Sequence, residues 1–81
     1  MGTRMLLGIG AIGETVKQAQ RILMIQGCGL AKADEVFGEQ TTVAVREFQA
    51  KESLAVTGVL DDKTWQTLMN CRVGPATAAY N

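Results

Sequence analysis

The sequence predicts an all-α fold: a compact, orthogonal bundle of three short helices with structured loops between them. Three observations carry that prediction. Apolar residues recur at helical spacing in three separate stretches, at about 14–26, 39–51 and 62–70. Glycines punctuate the chain before, between and after those stretches. Finally, two segments nearly repeat each other. Asp34-Glu35-Val36-Phe37-Gly38-Glu39-Gln40-Thr41 leads into Thr42-Val43-Ala44-Val45-Arg46-Glu47-Phe48-Gln49, and Val56-Thr57-Gly58-Val59-Leu60-Asp61-Asp62-Lys63-Thr64 leads into Trp65-Gln66-Thr67-Leu68-Met69. Two copies are too few for a solenoid, so the repeat describes two turn–helix units packed on one another. A repeat of this kind points to a binding module and away from a catalyst.

The first helix follows a turn-rich opening that contains Gly8, Gly10 and Gly13. Glu14 suits the positive end of the helix dipole, and Val16, Ala19, Ile22 and Leu23 form its apolar stripe. Gly27 and Gly29 end it. The loop over 27–38 offers Leu30, Val36 and Phe37 as inward anchors. In the second helix Thr41, Ala44, Val45 and Phe48 fall at i, i+3, i+4 and i+7, while Arg46, Glu47, Lys51 and Glu52 take the wet face. The next loop sends Leu54, Val56 and Val59 inward. Asp61 is an N-cap for the third helix, whose buried face is Trp65, Leu68 and Met69. These loops are long for a parallel bundle, so short extended pairings between them are expected. Residues 1–70 read as the domain and 71–81 as a tail or linker.

Composition narrows the function. Eighty-one residues, 47% hydrophobic and 20% charged, make one small globular domain. Eight basic and eight acidic residues cancel, so there is no global field for nucleic acid or an anionic membrane. Histidine is absent, which removes the usual general base and the commonest metal ligand. Two cysteines, Cys28 and Cys71, cannot alone make a four-ligand zinc site. They fall at the ends of two different helices and could pair or remain two half-buried thiols; spacing leaves both open. No run is long enough for a membrane-spanning helix. Met5 to Ile12 after Arg4 has some signal-peptide character, but its apolar core is short and broken by glycine. It reads better as a first packed, strand-like turn.

Taken together, three motifs resemble a known family. Leu7-x-x-Gly10-x-x-Gly13-x-x-Val16-x-x-Ala19-Gln20-x-x-Leu23, then Asp34 through Gln49, then Thr57 through Leu68, are similar in order and spacing to the small three-helix peptidoglycan-binding domains. The resemblance covers Leu7 to about Met69. The chain departs from the family pattern at Glu35, where glycine is usual, at Thr57 in place of aspartate, at Ser53 and Asp61 in place of glycine, and at the small Ala19. None of these breaks the core pattern. The same fold, by resemblance, forms the pro-segment of matrix metalloproteinases, and Val56 to Asp61 is similar to that version too. There an Arg-Cys-Gly run caps the catalytic zinc. Here Cys71-Arg72-Val73-Gly74-Pro75 puts the cysteine before the arginine, which loses the geometry of such a switch.

The resemblance implies a non-catalytic module that binds the bacterial cell-wall polymer and targets a linked hydrolase to it. The alternative is a protein–protein module of the same fold, an inhibitory pro-segment or an assembly domain. Candidate ligand contacts are Gln20, Asp34, Gln49 and Arg46; no catalytic residue, metal site or cofactor is expected. Each candidate has a structural reading beside the functional one. Gln20 and Gln49 can satisfy loop amides, Asp34 can cap its own turn, and Arg46 can belong to a solvated face. Trp65, Phe37 and Phe48 read as core, which leaves Tyr80 as the exposed aromatic. Expected partners are peptidoglycan and a linked hydrolase, with no nucleic acid or membrane, and the chain a monomer. The implied location is extracytoplasmic: the cell envelope, secreted, or delivered by phage.

Overall fold

The computed structural model describes residues 6–71. Its elements run β1 (Leu6–Leu7), α1 (Glu14–Ile25), α2 (Glu39–Lys51), β2 (Leu60–Asp61) and α3 (Asp62–Cys71). All three expected helices are present. α2 has the predicted bounds, α1 stops one residue early, and α3 continues one residue further, through Cys71.

Helix ends follow from local chemistry. α1 starts at Gly13, whose φ of 124° and ψ of −173° suit glycine almost alone. It closes in a Schellman motif: Gly27 N–H donates to the Met24 carbonyl at 3.1 Å and Cys28 N–H to the Leu23 carbonyl at 3.1 Å. α2 ends in the same motif, through Ser53 to Ala50 at 3.2 Å and Leu54 to Gln49 at 2.8 Å. Its left-handed residue is Ser53, with φ 61°, where a glycine would be unstrained. α3 is capped as predicted, because Asp61 Oδ1 accepts from Thr64 N–H at 2.9 Å.

The small sheet adds to the all-helical expectation. β1 pairs antiparallel with β2, Leu6 opposite Asp61 and Leu7 opposite Leu60. A lone bridge joins Ile12 to Val36. The opening segment is thus the strand-like turn expected, and it ties both repeat turns to the start of the domain.

α1 packs on both α2 and α3. Val16, Ala19 and Leu23 meet Ala44, Val45, Phe48 and Leu68 in one core, with Phe37 and Leu60 entering from the loops. Trp65 and Met69 are half-buried against that core rather than sealed within it. Two expected anchors are corrected. Val36 and Val56 are 49% and 54% exposed. An extended chain alternates its side chains, so Phe37 turns inward and its neighbour Val36 outward. In the second loop the fully buried anchor is Leu60, 23 residues after Phe37, while Val56 faces solvent.

Both cysteines are free thiols, Cys28 buried and Cys71 half-buried, and burial pushes both thiol pKa values up. The tail from 72 to 81, with Tyr80 and the Arg72 to Pro75 part of the altered pro-segment run, lies outside the described residues, as do residues 1–5.

Candidate binding groove

Each repeat turn is built around one buried glutamine. Gln20, on α1, is fully buried. Its Nε2 donates towards Asp34 Oδ1 at 3.1 Å, the Val36 carbonyl at 2.9 Å and Thr41 Oγ1 at 2.9 Å. Its Oε1 accepts from Glu35 N–H at 2.9 Å. Gln49, on α2 and equally buried, repeats the arrangement. Its Nε2 faces Thr57 Oγ1 at 3.2 Å, the Val59 carbonyl at 3.1 Å and Thr64 Oγ1 at 3.0 Å. Its Oε1 accepts from Thr57 and Gly58 N–H groups, both at 2.9 Å. Asp34, Val36 and Thr41 each stand 23 residues before Thr57, Val59 and Thr64.

This geometry follows from an accounting need. The turns are neither helix nor full strand, so their amides lack ladder partners, and a buried glutamine offers two donors and one acceptor oxygen at a fixed point. Among the described residues no buried side-chain nitrogen or oxygen lacks a partner. The left-handed residue at each turn is Glu35, φ 69°, in the first and Gly58, φ 80°, in the second. Gly58 also needs its missing side chain, since a Cβ there would come within 2.9 Å of Thr42 Cγ2 and 3.0 Å of Arg46 Nε.

The first copy carries a groove. A cavity of about 500 Å³ is lined by Leu30, Lys32, Asp34, Val36, Gly38, Glu39, Gln40 and Thr41. No aromatic ring lines it. A smaller depression, lined by Gly29, Ala31 and Val43, adjoins it across Glu39 and Gln40. Val36 N–H donates to Asp34 Oδ1 at 3.1 Å, and that bond, followed by the Gln20 amide, holds the Asp34 carboxyl below its ordinary pKa. Both bonds use Oδ1. Asp34 is therefore a carboxylate at neutral pH, exposed on the groove wall.

The four sequence candidates separate. Gln20 and Asp34 come together at the first turn, with the amide beneath and the carboxylate outside. Gln49 serves the second turn, and Arg46 lies exposed beside Gly58. The groove residues Lys32, Glu39 and Gln40 were not singled out by sequence reasoning. A signal for them existed in the unequal loops: five residues, Gly29 to Ala33, separate Cys28 from Asp34, whereas two, Ala55 and Val56, separate Leu54 from Thr57.

A duplicated turn–helix scaffold with a shallow polar groove, in a chain without histidine, has the build of a binding module. Comparison with known proteins agrees: the family described as "Putative peptidoglycan binding domain" matches residues 12–68, and the chain belongs to that family. A spore cortex-lytic enzyme of Bacillus cereus is 43% identical over 60 residues, which is 74% of this chain and 23% of the relative. The chain thus spans about a quarter of that curated relative's length. Among solved structures, the SleB N-terminal domain superposes with a TM-score of 0.81 at 36% identity, covering 89% of this chain and 99% of that one. A fused Zn-dependent amidase/peptidase/peptidoglycan-binding domain-containing protein of Clostridium acetobutylicum gives 0.72 at 34% identity, covering 82% of this chain and 29% of that one.

Proposed function

We propose that this domain holds bacterial cell-wall peptidoglycan in the groove of its first repeat and thereby keeps a linked hydrolase on its insoluble substrate. Family membership over residues 12–68 is the observation that carries the reading. The relatives named for lytic or amidase activity fit it, since each is several times longer than the part this chain matches. Tethering is then the mechanism: a weak module raises the local concentration of whatever is joined to it. A shallow groove on so small a domain implies dissociation constants on the order of 0.1–1 mM for single fragments, near −4 to −5.5 kcal/mol. Avidity on the polymer supplies the rest.

Within this reading Asp34 contacts ligand from the groove wall and Gln20 supports it from below. Gln49 and Arg46 belong to the second turn. The domain works as a monomer outside the cytoplasm, where its polymer lies. A pull-down with purified insoluble peptidoglycan tests the proposal. Retention that resists salt, absent for an unrelated protein of similar size and charge, is the expected result. A tandem fusion of the domain that stays in the supernatant refutes wall binding and leaves a protein–protein role.

A further inference from the structure

We infer that the groove takes the peptide stems of the polymer, in extended form along Leu30 to Ala33, and not its glycan strand. This rests on the wall-binding reading above and deepens it. The first support is the backbone. Among the described residues, no N–H or C=O of Gly29 to Ala33 takes part in a hydrogen bond, although the flanking Cys28 and Glu35 are both tied down. Leu30, Lys32 and Asp34 line the groove while Ala31 lines the adjoining depression, the alternation of an extended chain that starts after the left-handed turn at Gly29, φ 83°. An extended run with unused amides is the template onto which another extended peptide adds. Four such residues, Leu30 to Ala33, span at most about 14 Å, the reach of a short peptide.

The second support is the chemistry of the walls. Lys32 provides a cation, Asp34 and Glu39 provide carboxylates, and Gln40 adds an amide that both donates and accepts. Peptide stems carry the complementary groups: free carboxylates, the amine of a diamino acid, and backbone amides. Glycan strands of N-acetylated sugars instead present hydroxyls, acetamido groups and apolar ring faces, which suit aromatic platforms and include no cation to meet the Asp34 and Glu39 carboxylates. The lining has no aromatic residue: Phe37 and Phe48 are 1% and 0% exposed, and the half-buried Trp65 is not among the groove residues.

The test compares the full chain on three materials: intact peptidoglycan, the same polymer stripped of its peptides by an amidase, and intact polymer in the presence of released soluble stem peptides. Stripping is expected to lower retention at least tenfold, and millimolar free peptide to displace the bound domain. Lys32→Glu, which changes an exposed side chain with no structural hydrogen bond, should lower retention on intact polymer about fivefold with an unchanged melting temperature. Equal retention on stripped and intact polymer overturns the inference and leaves wall binding standing. Failure on intact polymer overturns both.

Discussion

The buried glutamines make a sharp prediction, clearest for Gln49→Met. Methionine has nearly the length and volume of glutamine and suits a helix, so the substitution removes polar partners without opening a large cavity. The Gln49 side chain makes five contacts within hydrogen-bond distance. An NH2 group has two hydrogens for its three acceptors, so four full bonds is the ceiling. At about 1 kcal/mol net for each, with a further penalty because the Gly58 N–H stays buried without an acceptor, the loss comes to about 3–5 kcal/mol. A chain of this length has a total stability of only about 4–12 kcal/mol.

Urea denaturation followed by far-ultraviolet circular dichroism measures the difference. The wild type should show one cooperative transition, and Gln49→Met should unfold at a lower urea concentration, with an extrapolated stability about 3–5 kcal/mol smaller. Gln49→Glu serves as a control. Its carboxylate still accepts from the Thr57 and Gly58 amides, but it sets a buried negative charge against the Val59 carbonyl that Nε2 faces at 3.1 Å, so its loss should be at least as large. A cost below 1 kcal/mol for Gln49→Met would refute the view that this amide organises the second turn.

Three other predictions can be checked on the same footing. Glu35→Gly should stabilise the fold by about 0.5–1 kcal/mol, because relief of a left-handed glutamate exceeds the added backbone entropy, and a drop in melting temperature would contradict this. The exposed Lys17–Glu35 pair, at 3.7 Å, adds too little to reverse the sign. Phe48→Ala, at a fully buried position, should cost about 3–5 kcal/mol in chemical denaturation. Asp61→Asn should keep the α3 cap and flatten the acid limb of a stability–pH curve. The Asp61 carboxyl is held below its ordinary pKa by the Thr64 N–H and hydroxyl, so its contribution is complete above the unfolded value near 3.9 and disappears as pH falls through the lower folded value. Parallel curves for Asp61→Asn and wild type below about pH 4 would dismiss that assignment.

The helices were legible because their signals are local. The α2 stripe of Thr41, Ala44, Val45 and Phe48 is buried to a residue, and Asp61 caps the helix it was expected to cap. The loops were legible only in part. Val36 and Phe37 are adjacent apolar residues, and which one turns inward depends on the bridge from Ile12 to Val36, a contact between distant segments. Gln20 and Gln49 were recognisable as a matched pair, yet the threonines that complete each hub lie 21 and 15 residues further along the chain. The groove residues were hidden for another reason. Lys32, Glu39 and Gln40 have no periodicity, and they acquire a shared cavity only when α2 packs beside the loop.

The two copies share one turn but differ in what surrounds it. Thr57 Oγ1 accepts from Val59 N–H at 3.2 Å just as Asp34 Oδ1 accepts from Val36 N–H at 3.1 Å. A hydroxyl therefore suffices for the turn itself, and the turn does not need the carboxylate's charge. In the second copy the left-handed position is a glycine pressed against Thr42 and Arg46; in the first it is a glutamate 48% exposed at its side chain. The second turn is thus packed in at Gly58 and uncharged at the exposed Thr57, while the first keeps a charge and an open wall beyond what its fold requires. The extra length of the loop over Gly29 to Ala33 lies on that same side. Substitutions there leave the Gln20 hub untouched, whereas the shorter loop before Thr57 offers no equivalent freedom beside Gln49. The charged, open wall thus belongs to the first turn, and among the described residues the second turn has no counterpart to it.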